Sequence, residues 1–222
     1  MHDTHIRVTF DPSPMRPAQV LTRWARCLPH LALAGVATGV GAAVAVGMGV
    51  AVTVTGRRPM RPARWQVWAV RERVRCFSYF FLLRPTTPPF PNVGLVDDGN
   101  DLPTEVTVDL SPTLPRWSPF VRLAIGLPRI IVGLPLGVLL DGLYPFAVVV
   151  AAAHGGWSLE TGNALARLEE WVAEVFLYMF FGSDDAPDLF PPLGAHNEHG
   201  GSSRRSRSAP AAPMTAPHSS HT

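Results

Sequence analysis

Residues 31–56 read LALAGVATGVGAAVAVGMGVAVTVTG, 26 consecutive positions without an ionisable side chain. At about 1.5 Å per residue such a helix is roughly 39 Å long, enough to cross a hydrocarbon core about 30 Å thick. It is also apolar on every face, which a helix of a water-soluble domain rarely is. Further on, IIVGLPLGVLLDGLYPFAVVVAAA (residues 130–153) makes a second run of 24 residues with one ionisable group, Asp141. Both runs are predicted to be membrane-embedded. Some 30 residues precede the first run, and its apolar core is too long for a cleavable signal peptide.

The surroundings of the two runs match at an offset of about 99 residues. Ile6-Arg7-Val8-Thr9-Phe10-Asp11 answers to Glu105-Val106-Thr107-Val108-Asp109-Leu110, and Leu28-Pro29-His30 to Leu127-Pro128-Arg129. Phe77-Ser78-Tyr79-Phe80-Phe81 answers to Phe176-Leu177-Tyr178-Met179-Phe180, and Pro88-Pro89-Phe90 to Phe190-Pro191-Pro192. Several landmarks in one order at one spacing predict an internal repeat. Residues 1–91 form the first copy and 92–193 the second, joined by a linker at 91–104; the Gly/Ser/His-rich residues 194–222 are expected to be a disordered tail.

Within each copy the pattern predicts a short strand, a membrane helix at about 28–56 or 127–155, and a second, amphipathic helix at about 64–83 or 163–181. Val67, Val70, Val74, Phe77 and Phe81 recur at helical spacing on one face, as do Leu165, Leu168, Val172, Val175 and Met179. The expected fold is a mainly α membrane protein of two tandem helical hairpins, multi-pass in the cell membrane. If both copies place their strands on the same side, those strands pair in a small sheet. Orientation stays open, because seven Arg between Arg57 and Arg75 oppose Arg16, Arg23 and Arg26 before the first run.

All 19 basic residues are Arg, which points to GC-rich coding of the actinobacterial kind. The net charge of +2 hides a polarity: residues 1–91 carry twelve Arg against three acids, residues 92–193 four Arg against thirteen acids. Cys27 and Cys76 form neither a disulfide framework nor a zinc spacing. His196 and His199 have chelating spacing but sit in the low-complexity tail. No metal site and no cofactor is predicted. The three tail arginines 204, 205 and 207 suit contact with anionic lipid and are too few for nucleic-acid binding.

The strand, the segment leading to Leu28-Pro29-His30, the long helix ending in Thr55-Gly56-Arg57, the Arg71-x-x-x-Arg75 helix and Pro88-Pro89-Phe90 together resemble bacterial membrane proteins of the domain of unknown function 4389 family. The resemblance covers nearly all of residues 6–193 counted as two copies. The second copy departs from it, with Arg129 for His, His154-Gly155-Gly156 for Thr-Gly-Arg, and Glu170 and Glu174 for the two Arg. The resemblance implies a bacterial membrane location and no chemistry.

Three sets of residues are candidates for function. Arg71 and Arg75 align with Glu170 and Glu174, each pair spaced i, i+4, so they either form ion pairs between the copies or line solvated faces. Asp141 is either a costly intramembrane acid or part of a turn, Asp141-Gly142-Leu143-Tyr144-Pro145. Gly35 and Gly39, and Gly133 and Gly137, have the small-xxx-small spacing that lets helices approach closely. Without a phosphate loop, nucleophile elbow or paired carboxylates, the chain reads as a non-enzymatic accessory or scaffold subunit whose partners are the lipid bilayer and another membrane protein. The alternative is a small transport or lipid-handling protein using Asp141 and the repeat interface.

Overall fold

The computed structural model describes residues 4–88 and 104–192. The tail, with His196, His199 and its three arginines, and all of the linker but Thr104 lie outside the described residues. The element order is strand, helix, helix, given twice: β1 (Thr4–Val8), α1 (Pro17–Thr55), α2 (Met60–Phe80), then β2 (Thr104–Val108), α3 (Ser118–His154), α4 (Leu159–Met179). The chain is therefore mainly helical with one small two-stranded sheet.

The strands pair antiparallel, Ile6 opposite Val106 and Arg7 opposite Glu105. Their alternation separates the faces: Ile6, Val8 and Val106 are buried, whereas His5, Arg7, Glu105 and Thr107 are exposed. The outer face is thus polar, and the opposed charges of Arg7 and Glu105 suit a cross-strand pair.

The long helices begin earlier than the apolar runs predict. α1 starts at Pro17, whose missing N–H costs nothing in the first turn, and the Arg16 N–H is accepted by the Gln19 side chain at 3.1 Å. It runs through Pro29, and α3 runs through Pro128, Pro135 and Pro145. The expected turn at Asp141–Pro145 is corrected: that backbone is helical, and Tyr144 is tied to α2 by its hydroxyl, which donates to the Phe80 carbonyl at 2.7 Å, and by stacking on the Phe80 ring at 4.1 Å. Gly56 and Gly155 end the two helices in the left-handed region, at φ +69° and +77°, which glycine adopts without the Cβ penalty. α2 and α4 stop about two residues before the predicted ends, because Leu82 and Phe181 take positive φ.

Three layers result. On α2, Val70 and Val74 join the core under the strands, whereas Cys76 and Tyr79 pack with Cys27 and Ala34 of α1. On α4, Ala166, Ala173 and Leu177 meet the strands, whereas Leu168, Trp171 and Val175 meet Leu136 of α3. At about 100° per residue these sets lie on opposite sides of their helices. The sheet therefore covers one side of the α2–α4 pair, and α1 and α3 cover the other and touch each other.

Local geometry recurs at the 99-residue offset. Arg23 donates to the Tyr79 and Arg84 carbonyls at 3.0 and 2.7 Å; Arg122 donates to those of Tyr178 and Ser183 at 2.7 and 2.6 Å. The positive-φ residues Leu82 and Phe181 correspond, and so do the helix-ending glycines. Some bonds are exchanged between the halves: the Met15 N–H donates to the Gly155 carbonyl at 2.8 Å, and the Leu114 N–H to the Gly56 carbonyl at 3.1 Å.

Among the described residues one helix, α1, is long and apolar enough to cross a membrane; in α3 the described apolar stretch Leu143–His154 is shorter. The multi-pass expectation, which needs at least two such helices, is not carried by these residues. Nor do Gly35 and Gly39 join the long helices to one another. A Cβ at either would meet nothing within 4 Å, whereas one at Gly41 would touch Gln66 and Phe180, and one at Gly133 would lie 3.3 Å from the Trp171 ring of α4. Gly137 and the side chain of Asp141 lie outside the described surroundings. The close approaches are elsewhere: a Cβ at Gly162 would run into the buried Phe10 ring. Gly162→Ala should cost about 1–3 kcal/mol by overpacking, whereas Gly39→Ala should be neutral or stabilise by up to about 1 kcal/mol. Thermal unfolding of the two variants in mild detergent measures this contrast.

Candidate functional site

The charged seam where α2 crosses α4 beneath the sheet gathers most of the candidate residues, with partners other than those expected. Arg71 donates to the Val106 carbonyl of β2 at 3.0 Å, and the Glu170 carboxylate accepts the Val8 N–H of β1 at 2.7 Å. Each helix thus fastens the strand of the other half. Arg75 pairs with Glu72 of its own helix at 2.7 Å, both buried. The contacts described for Arg71, Glu170 and Arg75 are thus to backbone groups of the paired strands and to a nearer acid, and not the expected pairs Arg71–Glu170 and Arg75–Glu174.

One ion pair that does join the halves lies nearby. Arg73 reaches Glu169 at 3.3 Å, with the side chains 14% and 5% exposed. Its guanidinium sits between the rings of Phe77 and Phe176, 4.6 and 4.5 Å from their centroids, an arrangement that favours a weakly hydrated planar cation. Phe77 and Phe176 correspond at the 99-residue offset, but Val172 stands at the position matching Arg73. Burial pushes the Glu169 carboxyl up to about 7, with Arg73 pulling it back. Burial also raises Glu170, opposed by the bond from Val8.

A second charged cluster closes the end of α4. Arg58, on the segment after α1, and Arg122 of α3 both bind Asp184, the latter at 2.9 Å. Arg122 lies over the rings of Tyr178 and Phe181, at 4.8 and 5.0 Å, much as Arg23 lies over Tyr79 at 4.2 Å. Repeat alignment marks Arg23 and Arg122, since both fall at the common offset from matched tyrosines. Arg73 and Glu169 carry no such signal, because neither has a like-charged counterpart in the other half.

Glu174 forms no ion pair among the described residues. It lines a small cavity of about 150 Å³ with Thr4, Ser183, Asp185 and Asp188. Burial, then the negative charge of Glu170 and of Asp188, pushes its carboxyl from 4.5 up to about 7. A raised acid binds its proton more tightly in the folded chain than in the unfolded one, so stability is fullest below about pH 4.5 and falls as pH rises to about 7. Glu174→Gln should remove about 1–2 kcal/mol of that decline, read as a flatter dependence of thermal midpoint on pH between about 4.5 and 7.

A larger groove of about 450 Å³ between α2 and β2 is lined by Arg64, Trp68, Arg71, Thr107 and Asp109 among others. Among the described residues no three His, Cys, Asp or Glu side chains converge as metal ligands. Cys27 and Cys76 are free, buried and 3.5 Å apart at their sulfurs. The arrangement holds the two halves together. Compared with protein-family models, curated proteins and solved structures, the chain matches none.

Proposed function

We propose that this chain is a membrane-resident, non-enzymatic accessory or scaffold protein made of two tandem copies of one strand–helix–helix unit, in keeping with the resemblance to the domain of unknown function 4389 family. The tandem reading is supported by the bonds, left-handed residues and arginine positions that recur at 99 residues. The membrane reading rests on one observation. Seven of the exposed large hydrophobic side chains are on α1 and ten on α3, while none is on α2 or either strand. Phe146 and Val46 are 72% and 71% exposed, a disposition that suits lipid better than water. The outward-facing Gly35 and Gly39 leave a shallow place on α1 where another membrane helix can pack closely.

Fractionation of cells producing the chain tests the proposal. It should sediment with membranes, resist alkaline carbonate, and need detergent for release. Solubilised gently, it should keep a stoichiometric protein partner that Gly39→Leu displaces. Recovery as a stable monomer in aqueous buffer would overturn the reading. Proton or solute flux that depends on Asp141 would favour a transport role instead.

A further inference from the structure

We infer that the α1–α3 layer lies flat in a single leaflet, parallel to the membrane plane, with the sheet held in water on the same side as the ends of both long helices. This rests on the membrane reading above and specifies its geometry. The first reason is length. Exposed apolar side chains run along α1 from Leu21 to Val54 and along α3 from Phe120 to Val150, roughly 50 and 45 Å at about 1.5 Å per residue. A helix standing upright in a hydrocarbon core of about 30 Å would leave a third or more of that stripe in water.

The second reason is what lies alongside. α2 accompanies α1 through the contacts of Cys27 with Cys76, Gly41 with Gln66, and Val52 with Ala63. The sheet crosses the middle of α2 and α4, at Arg71 and Glu170. Upright, α1 would carry the exposed His5, Arg7 and Glu105, and the open strand edges, to mid-bilayer depth, where ionised groups and unpaired backbone are expensive. Lying flat, the same three layers become a graded slab: polar sheet outermost, the α2–α4 seam beneath it, and apolar helices in the acyl chains, as interfacial helices sit.

Lipid, rather than a second copy of the chain, is the occupant on two grounds. Exposed positions of α1 between residues 35 and 54 sweep roughly 160° of the helix at about 100° per residue, more than one rigid partner face covers and readily wetted by acyl chains. Exposed arginines stand at both ends of the slab, Arg57, Arg61 and Arg116 beside the exposed Trp117 at one and Arg16 at the other, with Arg26 on the flank of α1 and Arg7 on the sheet face. Those at the ends and flank lie where they meet anionic headgroups.

The test adds purified protein to preformed phosphatidylcholine vesicles with and without phosphatidylglycerol. Parent chain, Ser13→Cys, Arg61→Cys and Thr107→Cys are labelled with a membrane-impermeant maleimide, the parent giving the background of its two buried cysteines. A dye on Val40→Cys reports depth. All three sites should label fully on intact vesicles, the Val40 dye should read an acyl environment, and phosphatidylglycerol should strengthen partitioning about tenfold. Labelling of Ser13→Cys from outside and of Arg61→Cys only after lysis would overturn the flat arrangement and leave the membrane reading standing. Failure to float with either vesicle would overturn both. Disulfide capture between Val40→Cys chains, in place of the acyl signal, would assign the face to a second copy.

Discussion

Arg73→Ala should destabilise the protein by about 3–5 kcal/mol, the cost of removing one partner of a buried ion pair and leaving the other charge unpaired. Glu169 would stay between α2 and α4 without its cation, and the Phe77 and Phe176 rings would lose the plane they enclose. Total stability of a domain is commonly about 5–15 kcal/mol, so the variant should be close to unfolded in detergent at 37 °C. The loss should be greatest at alkaline pH and shrink on acidification toward about pH 7, because without Arg73 the Glu169 carboxyl is raised further, takes up its proton sooner and no longer needs a counter-charge. Glu169→Gln should cost less than Arg73→Ala, because a neutral amide is cheaper to bury than a lone carboxylate. Arg73→Lys should recover only part of the loss, since an ammonium does not stack between two rings. Denaturant titrations of the three variants at two pH values decide the matter; equal losses in all three, independent of pH, would refute the account.

Removing the arginine clamps should be comparably severe. Arg23 is 1% exposed and serves three carbonyls, those of Tyr79, Arg84 and Pro85, the last at 3.1 Å. These belong to the end of α2 and the left-handed turn after it, where a helix leaves carbonyls without intrahelical donors. Arg23→Leu would strand them in a buried place at about 1–3 kcal/mol each, for an expected total of about 3–5 kcal/mol after partial relaxation. Arg122→Leu should cost a similar amount through Tyr178, Ser183 and Asp184, although Arg58 continues to bind Asp184. The double variant should show nearly additive losses, because the clamps secure different helix ends and share no partner. Unfolding midpoints in detergent measure all three, and strong non-additivity would mean that the clamps act as one network.

Much of the fold was legible because membrane-length apolar runs and a 99-residue correspondence are strong signals. The order of elements, the inward alternation of Ile6, Val8 and Val106, and the pairing of the strands followed from them. Helix starts are not legible in the apolar runs, which begin well inside the helices. In fact the buried stripe continues upstream through Val20, Arg23 and Cys27, where one buried position is an arginine. Asp141-Gly142 before Pro145 carries every local mark of a turn, yet Tyr144 is held by Phe80 and the helix goes on. The charged seam was located to within two residues and its pairings misassigned. Equal offset suggested that Arg71 faces Glu170, but two elements crossing about a pseudo-axis need not put like-numbered residues opposite each other. Strands entering the gap supplied backbone partners that linear comparison of the helices could not anticipate.

On the proposed tandem reading, the exchanged bonds bear on ancestry. Met15 completes the end of α3, Leu114 completes the end of α1, and each amphipathic helix grips the other half's strand, so neither half is closed by itself. A single-unit forebear would have needed to pair with its twin, every contact then being forced to match its mirror across the dyad. Covalent fusion lifts that constraint: a cation on one side can face an acid on the other, as Arg73 and Glu169 do, which two identical subunits could achieve only by carrying both residues twice.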